Sequence, residues 1–89
     1  MKDEPTRVEC YGGYRGSERP LAFTWQGNRR EVAQIVDRWY EGGLDPSRPE
    51  VDYFKVWTVE GEVFLLRYLP LCDTWTAALL PDQRGPIAV

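Results

Sequence analysis

The phrase Asp37-Arg38-Trp39-Tyr40 is where the side-chain types of this 89-residue chain could most readily do chemistry. A guanidinium between two aromatic residues can hold an anion or anchor a partner surface, because Arg pairs in a planar fork and stacks on rings. Trp, Tyr and Arg are also the types that dominate interface hot spots. Arg38, Tyr40 and Arg67 are therefore the candidate partner-binding residues. The same phrase has a structural reading, with Trp39 in the core and Asp37 pairing an arginine such as Arg67 at the rim.

Other candidates for chemistry are weaker. Glu31, Asp37, Glu60 and Glu62 supply carboxylates, but their spacing identifies no acid–base pair. The chain has no His, which removes the commonest general base, the commonest metal ligand and every Ser-His or Cys-His nucleophile pair. Cys10 and Cys72 lie too far apart in sequence for a paired metal half-site. Asp45, Glu50 and Asp52 lack the alternating ligand spacing of a calcium loop and read as solvated loop charge. Gly12, Gly13 and Gly16 make a loop, yet no phosphate-binding lysine follows and no helix opens after it, so they read as turn glycines. The expectation is a non-catalytic protein with no metal and no cofactor.

Net charge is −3. An acidic surface opposes non-specific binding to nucleic acid, which draws on several phosphate contacts. A nucleic-acid module would need Arg29, Arg30, Arg38 and Arg67 on one face, beside platforms such as Tyr11, Tyr14 or Tyr40. The charged opening Met1-Lys2-Asp3-Glu4-Pro5 has no apolar signal region, and no run matches the length of a membrane helix. The protein is expected in the cytoplasm, with both cysteines reduced.

The elements that must position these residues read as strands. Residues 53–59 and 62–68 are two β-rich runs joined by Glu60-Gly61, and Gly supplies the positive φ of a tight turn. Pairing Val59 with Glu62 sets Trp57 across from Phe64 and Val56 across from Leu65. Upstream, residues 21–26 alternate, with Leu21, Phe23 and Trp25 on one side. Gly27-Asn28 then reads as a two-residue turn. Residues 29–41 are ambiguous. Val32, Ile35, Val36 and Trp39 form a helical stripe, and Asn28 with Glu31 resembles a capping box. As a strand, the same segment needs a bulge near Val32-Ala33 to bring both sets of apolar residues to one face. Short strands at 7–11 and 74–79 complete the set. Residues 1–6 and 81–89 read as tails around one domain at 7–80. Trp25, Trp39, Trp57, Phe64 and Trp75 are the expected core, since large aromatics let a short chain bury enough area.

From residue 21 to residue 75 the chain resembles a group of small bacterial proteins of uncharacterised function. The resemblance is carried by Phe23, Trp25, Gly27 and Arg29, then Val32, Ile35, Val36, Asp37, Arg38 and Trp39, then Tyr53, Phe54, Val56, Gly61, Arg67 and Trp75. It implies successive strands through the Asp-Arg-Trp phrase, and so a long bent strand at 29–39. The fold expected is all-β, an antiparallel meander curled into a small open barrel. The alternative is α+β, with residues 29–41 as one helix on the sheet. The resemblance brings no catalytic residue. Some members of that group lie beside genes of translesion DNA synthesis, which implies an accessory role in DNA repair as one alternative. A small-ligand binder or enzyme is another. The leading reading is a soluble module that binds a protein partner.

Overall fold

The structure, a computed structural model, describes residues 3–11, 19–42, 47 and 49–84. All regular structure among them is strand: β1 (Glu4–Thr6), β2 (Val8–Cys10), β3 (Pro20–Trp25), β4 (Asn28–Glu41), β5 (Val51–Thr58), β6 (Glu62–Leu69) and β7 (Thr74–Arg84). Each pairs antiparallel with its neighbours in the order β1-β7-β6-β5-β4-β3-β2. The order begins and ends on the same extended segment, because only Arg7 separates β1 from β2. The sheet is thus a nearly closed barrel with one unsealed seam. Across that seam the Thr6 hydroxyl accepts from the Thr24 amide at 3.1 Å and donates to the Thr24 carbonyl, and the Arg7 carbonyl accepts from the same amide at 3.3 Å.

Residues 29–41 belong to one long strand, as the family resemblance implied and the helical stripe did not. β4 owes its bend to two register shifts against β5, one between Val32 and Gln34 and one between Ile35 and Asp37. The first is the bulge expected near Val32-Ala33. Each shift adds a residue, so the positions opposite the buried Thr58, Val56 and Phe54 are Val32, Ile35 and Arg38. A spacing of three replaces the strand's spacing of two, which is why the segment imitates a helix.

The central hairpin has a different register from the one read above. β5 and β6 pair Trp57 with Val63, Val56 with Phe64 and Phe54 with Leu66. The loop holds three residues, Val59, Glu60 and Gly61, closed by the Gly61 amide donating to the Thr58 carbonyl at 2.9 Å. The Glu62 amide donates to Thr58 Oγ1 at 3.2 Å. The physical reason lies at Glu60. A two-residue primed turn of the I′ kind would force positive φ on it, whereas the three-residue loop needs positive φ only at Gly61, which has +88°. One residue of slip exchanges the faces. Phe54, Val56, Phe64 and Leu66 share the inside; Trp57 and Val63 lie on the other face, where Trp57 is half-buried and Val63 is still covered.

The first turn also moves by one residue, to Gln26 and Gly27, whose φ values of +50° and +82° are both positive. Trp25 then faces Asn28, and Phe23 faces Arg30 rather than Val32. Moving a turn along the chain by one residue changes the pairing by two, so Phe23 and Trp25 still point inward.

The core is built from Val8, Cys10, Phe23, Trp25, Phe54, Val56, Phe64, Leu66, Trp75 and Ala77. Phe64 is its centre, edge-on to Phe23 at 4.9 Å and to Trp25 at 5.1 Å. Of the five expected core aromatics, Trp25, Phe64 and Trp75 are buried. Trp57 is half-buried on the outer face. Trp39 is 38% exposed, because the shift at Val36 turns it away from the core.

The expected tails shrink. Residues 4–6 form β1, where Pro5 is tolerated because the strand ends the ladder order and has an unpaired edge. β7 continues through Pro81, which sits where the β6–β7 register breaks between Glu62 and Phe64. Residues 85–89 and the glycine loop at 12–16 lie outside the described residues.

Tyr68 packs against the core and donates its hydroxyl to Asp73 Oδ1 at 2.7 Å. That bond and burial push its phenol up to about 12. Tyr40 and Tyr53 are pushed up less, by burial and by hydrogen bonds to Glu50 and Glu41. A raised folded-state value means stability that is full below pH 10 and is lost as pH rises toward 12. An absorbance titration should show a last tyrosinate forming near pH 12. Tyr68→Phe should remove that step and flatten the loss of stability with pH over the same window.

Candidate partner surface on the long strand

β4 is the most exposed strand of the barrel. Of its residues, only Arg30, Val32 and Ile35 are partly covered. Its C-terminal half pairs with β5, and this brings three aromatic or basic residues into one row on the outer face. Trp39 lies across from Tyr53, and Tyr53 lies across from Arg67. The Trp39 and Tyr53 rings stack at 5.0 Å with 8° between planes. The Arg67 guanidinium stands 5.7 Å from the Tyr53 ring centre and is ion-paired with Asp3. The Tyr53 hydroxyl donates to Glu41 Oε1 at 2.8 Å, which fixes the ring under Trp39.

The structure separates the three expected partner-binding residues. Arg38 and Tyr40 alternate with Trp39 and so lie on the other face of β4. The Arg38 guanidinium is 4.7 Å from the Phe54 ring centre, at the open end of the core. Tyr40 is 52% exposed opposite Asp52. Only Arg67 joins the outer row. The expected Asp37–Arg67 pair does not form, since Asp37 instead accepts from the Arg38 amide at 2.8 Å. The shifted register carries Arg67 to Asp3, a partner hidden in a segment read as tail.

The arginines required for a nucleic-acid face divide two and two. Arg30 and Arg38 point with Phe23 and Phe54, and Arg29 and Arg67 point away. Arg29 bridges Glu9 at 3.0 Å and Glu31 at 3.1 Å, which holds the Glu9 carboxyl below its usual range. Arg30 bridges Glu62 at 3.0 Å. Two of the four candidate acid–base carboxylates, Glu31 and Glu62, are thereby committed to ion pairs. Tyr11 is exposed at the end of β2, and Tyr14 lies outside the described residues. Asp45 does too. Among the described residues no group of three His, Cys, Asp or Glu side chains could hold a metal ion. Cys10 is buried and Cys72 exposed, and no disulfide joins them.

Sequence reasoning missed a groove. The β3–β4 ladder stops at Ala22 and Glu31, and the bulged part of β4 then diverges from the start of β3. Between them lies a cleft of about 650 Å³, bounded by Arg19, Pro20 and Leu21 on one side and by Val32, Gln34, Ile35 and Arg38 on the other. Pro20 carried the available signal, because a residue without an amide donor marks a place where a ladder can end. A smaller cleft of about 370 Å³ lies at the seam, between Pro5–Val8 and residues 73–75. No helix of the described residues is long and apolar enough to cross a membrane. No family model matches the chain, no curated protein is similar to it, and no solved structure matches its fold.

Proposed function

We propose that this barrel is a non-catalytic binding module of the cytoplasm, and that it takes a protein partner on the outer face of β4. The observation that carries this reading is the exposed stack of Trp39 on Tyr53 beside Arg67. Rigid rings held in place by a neighbouring strand contribute contact area with little ordering cost, which is how aromatic anchors supply binding energy. The division of the arginines between faces, and the ion pairs of Arg29, Arg30 and Arg67 with carboxylates, favour a protein partner over a phosphate backbone.

The test is quantitative capture from lysate with wild type, a Trp39→Ala/Tyr53→Ala variant, and a Leu71→Ser control. Leu71 is 87% exposed in the β6–β7 connection, away from the row. Loss of a hot-spot pair costs about 2 kcal/mol or more, roughly thirtyfold in affinity. One partner should be lost from the double variant and kept by the control, with circular dichroism unchanged. Equal capture by all three overturns the reading. A DNA titration at low salt should show nothing tighter than about micromolar. Tighter binding with a steep salt slope would promote the DNA-repair alternative.

A further inference from the structure

We infer that the partner presents an arginine, whose guanidinium lies flat on the open face of Trp39 and forks onto the Glu41 carboxylate. The inference rests on the reading above that the outer face of β4 binds a protein, and it names the chemistry that the partner brings. Three observations carry it. The first is the free end of the ring row. Tyr53 covers one face of the Trp39 ring at 5.0 Å with 8° between planes, yet Trp39 is still 38% exposed. The indole is already held by its neighbour, so a planar group can extend the stack without the cost of ordering it.

The second observation is charge. Asp37 and Glu41 stand two residues before and after Trp39, beyond both bulges, so all three share the outer face of β4. Both carboxylates are exposed. Lys55 lies across from Asp37, whereas the residue across from Glu41 is the apolar Val51. Glu41 accepts from the Tyr53 hydroxyl with Oε1, and a carboxylate has further lone pairs for a second donor. An anion beside an indole face favours a cation there, and Trp is the best ring for the purpose. Arginine fits better than lysine, because one planar group can stack on the ring and fork onto a carboxylate at once.

The third observation is that the same row already holds such a unit at its other end. The Arg67 guanidinium stands 5.7 Å from the Tyr53 ring centre and pairs with Asp3. Ring, guanidinium and carboxylate there come from β5, β6 and the residue before β1. At the Trp39 end the chain supplies the ring and the carboxylate, and the partner supplies the guanidinium.

The experiment titrates the ¹⁵N-labelled protein with acetylated, amidated Gly-Arg-Gly and with its Lys, citrulline, Pro and Glu counterparts. The Trp39 indole N–H and the amides of residues 39–41 and 53 report contact. The Arg peptide should bind about fivefold tighter than the citrulline peptide, which keeps the plane and loses the charge. It should bind about fivefold tighter than the Lys peptide, which keeps the charge and loses the plane. The Glu peptide should shift nothing. Trp39→Leu should abolish binding. Glu41→Gln keeps an oxygen acceptor for Tyr53 and removes the charge, so it should weaken the Arg peptide about fivefold and flatten its salt dependence. Binding of the Lys, citrulline or Pro peptide as tight as that of the Arg peptide overturns the inference, and so do shifts away from Trp39 or no binding at all. In lysate capture, Glu41→Gln should retain less of the partner than wild type. Capture kept by Glu41→Gln but lost from Trp39→Ala/Tyr53→Ala overturns the inference and leaves the outer-face reading in place. Equal capture by wild type and both variants removes the outer-face reading, and the inference with it.

Discussion

Phe64→Ala should lower the urea midpoint by roughly 2 M or prevent folding altogether. Phe64 has no exposed surface and meets Phe23 and Trp25 edge-on. It is therefore the point where β3 and β6 touch across the barrel. Truncating a buried Phe costs about 3–5 kcal/mol, because the cavity term adds to the lost transfer energy. A domain of this length has roughly 4–13 kcal/mol in total. Trp57→Ala removes a larger ring but should cost clearly less, since that ring lies half-buried outside the core cluster. Equal midpoints for the two variants would mean that the inside and outside of the central hairpin are assigned the wrong way round.

The second large effect is expected at Gly42. Its φ is +101°, and a Cβ built there would meet the Pro49 carbonyl oxygen at 2.8 Å and the Glu50 Cα at 2.9 Å. Both neighbours are backbone, so neither can rotate away. Gly27 has a similar φ of +82°, but a Cβ there meets nothing within 4 Å. Gly27→Ala carries backbone strain alone, about 1–2 kcal/mol. Gly42→Ala carries the same strain and a steric clash besides, and should cost about 3 kcal/mol. Thermal melts of the pair isolate the clash, and equal losses would remove it. The Gly42 substitution should also disturb Tyr40, whose hydroxyl bonds to Glu50. Tyrosinate titration then reports whether the end of β4 has moved.

Much of the architecture could be read from particular residues. The alternation of Leu21, Phe23 and Trp25, and the β-rich runs on either side of Gly61, are local features with local causes. Register was not legible, because it turned on whether Glu60 would accept positive φ, a difference of one residue in loop length. The bulges at Ala33 and Val36 were harder still. They convert a strand's spacing into that of a helix, and only the pairing partner in β5 shows which it is. The candidate site suffered most from this. Once the register and the second bulge are placed, Trp39 leaves the core and Arg67 parts from Arg38. The groove depends on where a ladder stops, which no single segment encodes.

The short seam segment has a consequence for how the protein is made. Glu4 pairs with Ala77 and Thr6 with Trp75, so β1 must wait for β7 to be translated. Loop closure over such a separation is slow compared with hairpin formation. The two central hairpins can form during synthesis, but the barrel cannot shut until β7 has emerged from the exit tunnel. A nascent chain stalled before residue 74 should remain open to protease along β6, and full resistance should come only once β7 is free to pair.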